Sequence, residues 1–384
     1  MSTGRKLAVV GVGYSPVSRK TDLTVHETAY LACKAAIEDS GLKPAEIDGV
    51  AQYGFPFEMV TTWEVSETLG IGELQWYTDL SGTGPAGITG VIAAAAAVAS
   101  GSCEACLVYR TVSRAGGHSG GEGSRTAPKA VGGDMQFSAP YGNFAAPQWF
   151  GMYMRRYMHV YGATEEHFGA VAVVQREHAA LNERAIFRDP MTMEDYLACR
   201  YISEPLRLFD CDLPVTGAGA VIVTTAERAK DLRHRPVYID SWAFGTGPRP
   251  DWFQWPDMAT MGTHHAAPAM WRRSQFKPED VDTAQVYDGF TIITLQWLEA
   301  LGFCKFGEAG PFVAEGNTRL GGKLPTNTNG GMLNMGRVHG ISHVIEAVEQ
   351  LRGNLGPRQV ANARVAVAAN GGGPVAGCMT FYRE

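Results

Sequence analysis

The stretch from Pro85 to Ser100 places Ile88, Val91, Ile92, Ala93 through Ala97, Val98 and Ala99 on every face of a helix. A helix that is apolar all round is buried on all sides or lies in a membrane. The apolar run Ile88 to Ala99 is too short to span a bilayer, which leaves burial within protein. Gly-rich Ser81-Gly-Thr-Gly84 precedes this helix and the apolar strand Ala105 to Val112 follows it. That order implies a layer of helix held between two sheets. A chain of 384 residues is long for one ordinary core and suits two similar halves.

The rest of the chain supports that division. Leu7-Ala-Val-Val10 reads as a buried strand, followed by turn chemistry at Gly11-Val-Gly13 and Pro16. A first helix starts near Thr24, where Thr24 and Glu27 have capping-box spacing, and stops at Gly41. Lys43-Pro-Ala-Glu-Ile-Asp48 then leads into a strand at Gly49 to Tyr53. Strand, helix, strand is an α/β order. The same segment recurs as Lys277-Pro-Glu-Asp-Val-Asp282, with a strand upstream at Val237 to Phe244 and a Gly-rich helix start downstream at Arg337 to His343. Matched order around a short repeat points to duplication. The expected halves are residues 1–233 and 234–384. The first carries an insertion over about 114–212, with a surface loop or lid at Arg114 to Gly133 and helices near Gln148 to His159, Glu165 to Leu181 and Thr192 to Arg200. Gly217 to Thr225 reads as a buried strand.

A net charge of −6 and the lack of a long Lys/Arg run argue against nucleic acid or an anionic membrane as the partner, and favour a small molecule. Seven cysteines scattered from Cys33 to Cys378 are not a disulfide framework and fit a reducing cytosol. The start is wrongly flanked for a signal peptide, so a cytoplasmic protein is expected. Gly11-Val-Gly13 lacks the third glycine of a dinucleotide fingerprint. Cys103-Glu-Ala-Cys106 has redox spacing but lies between a buried helix and an apolar strand, and adjacent His264-His265 is not a metal-binding spacing, so no metal is expected.

More specific are Met191-Thr-Met-Glu-Asp-Tyr-Leu-Ala-Cys-Arg200, Glu204-Pro-Leu-Arg-Leu-Phe-Asp-Cys-Asp212 with Gly217-Ala-Gly-Ala-Val221, Val286-Tyr-Asp-Gly-Phe290, Asn327-Thr-Asn-Gly-Gly331 and Asn370-Gly-Gly-Gly373. Across essentially the whole chain the sequence resembles the thiolase superfamily, in the branch with sterol carrier protein X thiolases and the lipid-transfer proteins of bacterial steroid catabolism. The resemblance implies an α/β thiolase fold, two duplicated βα halves in a five-layer αβαβα sandwich. Thiolases start the first buried helix with a nucleophilic cysteine; Gly84 stands at that place here. Arg337 falls on the thiolase histidine, Tyr287-Asp-Gly-Phe290 on the Asn-Glu-Ala-Phe segment, and Ala369 on the second cysteine. These changes resemble the steroid side-chain aldolases, which keep a tyrosine at the Tyr287 position and have a second one where Arg337 stands.

Retro-aldol cleavage of a β-hydroxyacyl-CoA needs a base for the hydroxyl proton, donors for the thioester enolate and an acid for the α-carbon. Tyr287 is the base candidate, provided its ordinary pKa of about 10 is lowered. A guanidinium favours phenolate, and Arg337 comes from the facing catalytic segment. Arg337 reads equally as a phosphate or carboxylate clamp, or as a buried cation paired with Asp288. His339 is an acid candidate or a helix cap, and His343 reads as packed. Gly84, Gly371 and Gly372 offer backbone N–H groups to an enolate oxygen or serve tight packing; Asn370 adds a side-chain donor.

The resulting expectation is a carbon–carbon lyase acting on an acyl-CoA, with a steroid side-chain thioester as the implied substrate, no acyl-enzyme, and no cofactor beyond the CoA of the substrate. Two rivals stay open: a thiolase-like acyltransferase or condensing enzyme with its nucleophile elsewhere, for instance Cys378, and an inactive acyl-CoA-binding subunit of a complex. A homodimer is expected through Ala105 to Val112 as an edge strand. The resemblance also implies a small OB-fold partner in a heterotetramer, with Arg114 to Gly133 and Trp252 to Trp255 as candidate surfaces.

Overall fold

The computed structural model describes residues 5–55, 58–81, 85–114, 131–249 and 251–384. Gly84 and most of the Arg114 to Gly133 loop lie outside the described residues. The first half contains β1 (Leu7–Tyr14), α1 (Val25–Ser40), β2 (Gly49–Tyr53), α2 (Thr62–Leu69), β3 (Trp76–Leu80), α3 (Ala86–Ser100) and β4 (Ala105–Ser113). An insertion follows with α4 (Ala146–Tyr161), α5 (Glu165–Ala180), α6 (Met193–Ala198) and the small hairpin β5 (Tyr201–Ser203) and β6 (Leu206–Arg207); β7 (Thr216–Thr225) and α7 (Ala226–Ala229) come next. The second half runs β8 (Val237–Thr246), α8 (Thr263–Trp271), β9 (Thr283–Val286), α9 (Thr291–Ala300), α10 (Ala309–Ala314), α11 (Gly331–Asn334), α12 (Ile341–Arg352), β10 (Val365–Gly372) and β11 (Val375–Tyr382).

Apart from the β5-β6 hairpin, the strands form one sheet in the order β3-β2-β4-β7-β1-β8-β11-β10-β9. Outward from its middle, β1-β7-β4-β2 is matched by β8-β11-β10-β9, and the pairing directions agree: parallel β2–β4 and β9–β10, antiparallel elsewhere. The duplicated segments act alike. Asp48 accepts from Ala105 N at 2.9 Å and fixes the start of β4; Asp282 accepts from Val365 N at 2.9 Å and fixes the start of β10. Each is preceded by a short 3-10 turn, at Pro44–Glu46 and Pro278–Asp280.

The expected sandwich is present, but its two sheet layers are the halves of one continuous sheet. They are joined by antiparallel pairing of Leu7 to Val9 with Val237 to Ile239. Helices α3 and α12 lie between the halves, α1 covers the outer face of the first and α8 that of the second. Strand alternation sorts the core: Leu7 and Val9 face the central helices, Ala8 and Val10 face α1. Gly11 and Gly13 are explained by packing, since a β-carbon at either would stand 2.3–2.4 Å from the backbone of Ala36 in α1.

Two expectations need correction. Helix α3 is not covered all round, because Ala96 is exposed and Ala93 and Ala99 are half-buried, a stripe that neither sheet half reaches. Nor is Ala105 to Val112 an edge: β4 is paired on both sides, with β2 and β7. It is apolar because it is central, as strands covered on both faces are. The free edge of this half is β3, whose residues alternate between half-buried and exposed. Next to it, exposed Tyr77 and Trp63 of α2 pack with ring centroids 4.6 Å apart.

Candidate active site

Tyr287 directly follows β9, and Asn327 fixes that exit. The Asn327 side chain accepts from Val286 N at 2.8 Å and donates to Val286 O at 2.9 Å, taking the place of a neighbouring strand. Asn327 has φ +51°, which asparagine tolerates better than most residues. The Tyr287 ring then lies against Gly289, where a β-carbon would stand 2.9 Å from the hydroxyl oxygen.

Arg337 reaches the same place from the segment before α12. Its backbone N–H donates to Leu213 O at 2.9 Å, and Asp212 N–H donates to Gly289 O at 3.1 Å, so the three segments are tied together. Arg337 Nε lies 2.9 Å from Asp212 Oδ2, and the guanidinium favours the ionised form of the neighbouring Tyr287 hydroxyl. The expected pairing of Arg337 with Asp288 is not the one observed. The Arg337 and Asp212 side chains keep 19% and 15% of their surface open, and with Tyr287 at 8% they are the more open groups of this cluster.

Burial raises the Tyr287 phenol above its ordinary pKa; Arg337 opposes this and Asp212 adds to it. Burial likewise raises the Asp212 carboxyl, against the pull of Arg337 and Arg114. Arg337 remains charged because Asp212, Tyr287 and Glu58 outweigh the cost of burial.

His339 is held between two guanidiniums, with Arg110 3.1 Å from Nδ1 and Arg337 3.1 Å from Nε2. A neutral imidazole accepts through one nitrogen only, so one of these contacts is a close approach and not a hydrogen bond. Burial, then Arg337, Arg110 and Arg114, lower its pKa well below the ordinary histidine value. His339 is therefore neutral at physiological pH, which differs from the titrating acid expected above. It also has φ +53°, an uncommon conformation for a histidine.

A fully buried layer stands behind. Glu58 is paired with Arg110 and Arg114 and accepts from Arg114 Nε at 3.2 Å. Against burial, these two arginines hold Glu58 below the usual carboxylate range, and Arg114 is pushed down to about 10 by burial and Arg337. Asp288 has no exposed surface; it accepts from Leu333 N at 3.3 Å and lies 3.2 Å from His343 Nε2, so it positions backbone and does not reach a ligand.

Asn370 and Gly371 lie at the exit of β10. Both polar atoms of the Asn370 amide are buried without a partner, which suits a donor reserved for a ligand. At Gly371 a β-carbon would stand 2.6 Å from Val375 O, and the Gly371 carbonyl accepts from Trp297 Nε1 at 2.9 Å. A β-carbon at Gly372 would press on Ile293 at 2.9 Å. The amino end of α3 is joined to the site, since Gly87 N–H donates to His339 O at 3.1 Å. Beside Tyr287, an aromatic wall is built by Phe290 stacked on Phe150 at 4.7 Å, Trp252 edge-on to Phe150 at 5.2 Å and Trp149 stacked on Trp252 at 4.7 Å. Trp252 thus packs into the wall and Trp255 is buried, leaving Phe253 as the exposed aromatic ring of that segment. A cleft of about 590 Å³ on the outer face of α4, lined by Tyr141, Arg155 and Glu204 among others, is a separate feature that contains none of these groups.

Cys378 is buried and its thiol is raised by that burial; Cys106 is raised in the same way and Cys103 is buried. These thiols are packing groups in the structure. Among the described residues no cluster of three His, Cys, Asp or Glu side chains is placed to hold a metal ion, and no helix is long and apolar enough to cross a membrane. Asp212, Glu58, Arg110 and Arg114 were not singled out as site residues from the sequence. Asp212 ends a quoted motif and was within reach; the other three are isolated residues that only the fold brings together.

The family described as "Thiolase C-terminal domain-like" matches residues 249–381. The chain is 39% identical to 17-hydroxy-3-oxo-4-pregnene-20-carboxyl-CoA lyase of Mycobacterium tuberculosis, over 96% of this chain and 97% of that protein. It is 38% identical to the steroid side-chain-cleaving aldolase of Thermomonospora curvata, over 96% of each. Among solved structures, the Ltp2-ChsH2(DUF35) aldolase superposes with a TM-score of 0.91 at 34% identity, covering 100% of this chain and 99% of that one. With a duplicated five-layer fold and this similarity over nearly its full length, the chain belongs to the thiolase superfamily, on the branch that holds the steroid side-chain-cleaving aldolases.

Proposed function

We propose that the protein is a retro-aldol carbon–carbon lyase that cleaves a β-hydroxyacyl-CoA carrying a bulky apolar acyl group of the steroid side-chain type. One observation carries the reading: Tyr287, Asp212 and Arg337 converge, with Arg337 and Tyr287 at the positions that align with the thiolase histidine and Asn-Glu segment, while the thiol of adjacent Cys211 is raised by burial and turned to Arg207 O at 3.5 Å. Cleavage between the α- and β-carbons leaves a thioester enolate, so a fixed cation and preorganised donors are what the transition state needs. Arg337 supplies the charge and Asn370 a side-chain N–H. With its raised pKa Tyr287 remains a phenol near neutral pH, suited to give a proton to the α-carbon. The reaction asks for no cofactor besides the CoA of the substrate. The aromatic wall of Phe290, Phe150, Trp252 and Trp149 offers an apolar surface for the acyl part.

The acyltransferase rival loses support because Cys378 has no exposed surface and a raised pKa. For assembly, the reading is a cytoplasmic homodimer formed through β3, with Trp63, Tyr77 and the open Ala93/Ala96/Ala99 stripe of α3 as the uncovered surface. A small OB-fold partner completing the substrate site is supported by the solved neighbour named Ltp2-ChsH2(DUF35) aldolase.

The test is incubation with 17-hydroxy-3-oxo-4-pregnene-20-carboxyl-CoA, with and without a candidate partner. Release of a 17-ketone together with a shortened acyl-CoA is expected. Binding without cleavage under both conditions points to the inactive-subunit reading, and transfer of the acyl group to a thiol points to the transferase.

A further inference from the structure

We propose that Asp212 is the base that removes the β-hydroxyl proton, with Tyr287 as the complementary acid and Arg337 holding the two in place. This rests on the retro-aldol reading.

Glu58 is enclosed by Arg110 and Arg114 and has no exposed surface. Asp288 is engaged by His343 and Leu333 N and is equally closed. His339 has a guanidinium against each ring nitrogen. Asp212 differs. Its carboxylate receives no hydrogen bond among the described residues, and although Arg337 Nε is 2.9 Å away, that N–H is not aimed at it. The side chain is 15% exposed, and its backbone is anchored to Gly289 O, two residues from Tyr287.

The donor side is equally defined. The neighbouring guanidinium of Arg337 has no lone pair to offer, and among the described residues no other group accepts from the Tyr287 hydroxyl, so the phenolic hydrogen is free to donate. One guanidinium therefore carries an unused proton acceptor on one side and an unused proton donor on the other. Burial makes the carboxylate a stronger base and the phenol a proton holder, which suits each to its part.

The step balances within the site. The Asp212 carboxylate takes the hydroxyl proton and the carbon–oxygen bond becomes a carbonyl. The α–β bond breaks, with its electron pair passing into the thioester enolate beside Arg337. The enolate then takes the phenolic proton at the α-carbon. Passage of the proton from Asp212 to the Tyr287 phenolate restores both groups, and no co-reactant is consumed.

The experiment compares wild type, Asp212→Asn, Asp212→Ala and Tyr287→Phe on 17-hydroxy-3-oxo-4-pregnene-20-carboxyl-CoA across pH. In wild type, kcat/KM should fall on the acid side with a midpoint above the ordinary carboxylate value. Asp212→Asn should lower kcat by about 10² or more with little change in KM, and should abolish the acid limb. Formate should restore part of the turnover of Asp212→Ala and none of that of Tyr287→Phe. If Asp212→Asn keeps the acid limb, or changes KM and not kcat, the carboxylate only positions Arg337 and the base assignment is wrong. The isosteric Asn variant decides the matter should the Ala variant fold poorly. Absence of cleavage by wild type both with and without the candidate partner would instead overturn the lyase reading itself.

Discussion

A β-carbon at Gly331 would stand 2.0 Å from Asp288 Oδ2 and 2.3 Å from Gln175 Oε1. The buried carboxylate therefore occupies space that only glycine leaves open. Gly331 also has φ +64°. Gly331→Ala should cost about 2 kcal/mol or more, through strain and displacement of the Asp288–His343 pair. Urea unfolding would measure the loss, and a midpoint equal to that of wild type would contradict it.

Tyr287→Phe retains the ring that packs against Gly289 and removes the hydroxyl that meets Arg337. Stability should fall by no more than about 1 kcal/mol, the usual net worth of one hydrogen bond, because the hydroxyl makes none among the described residues. Turnover should fall by about 10² or more. Circular dichroism and product release, measured on the same preparation, separate the two effects; near-wild-type turnover would remove Tyr287 from the mechanism.

Without an acyl-enzyme, the protein mass should be unchanged after substrate treatment. Cys33, Cys103, Cys106 and Cys378 are buried, while Cys199, Cys211 and Cys304 are half-buried. Mild alkylation should therefore be confined to the last three, and modification of Cys199 and Cys304 should leave most of the activity, whereas an adduct on Cys211 would crowd the adjacent Asp212. An acyl adduct on any cysteine would restore the transferase mechanism.

Trp63 and Tyr77, 57% and 47% exposed beside the free edge, should anchor the dimer contact. Trp63→Lys with Tyr77→Lys should shift the sedimentation coefficient to that of a monomer at micromolar concentration. An unchanged dimer would place the interface elsewhere.

The framework was legible because it rests on local chemistry. The Thr24/Glu27 capping box and the αL cap at Gly41 lie where the sequence put them. Helix α2 was legible in principle too, since Thr61 and Glu64 form another capping box and Gly70 its αL cap. The edge was misjudged because apolar content marks a covered strand; β3, with Asp79 exposed, is the less apolar one. In the site, the Tyr287 and Arg337 segments were found through motifs. Arg110, Glu58 and Arg114 were not, because each has its meaning only through partners: residues 58 and 110 are far apart in the chain and meet only when β4 pairs beside β2.

The central place of β1 bears on how the protein is made. Leu7–Tyr14 is synthesised well before either of its two sheet neighbours, Thr216–Thr225 and Val237–Thr246. At roughly 5–20 residues per second, the wait for the first of them is about ten to forty seconds of translation. For that interval a strand destined for the middle of a nine-stranded sheet has both of its hydrogen-bonding edges open on the ribosome. Chaperone demand should therefore peak before residue 216 is made, and a message truncated upstream of that codon yields a product that cannot cover its own first strand.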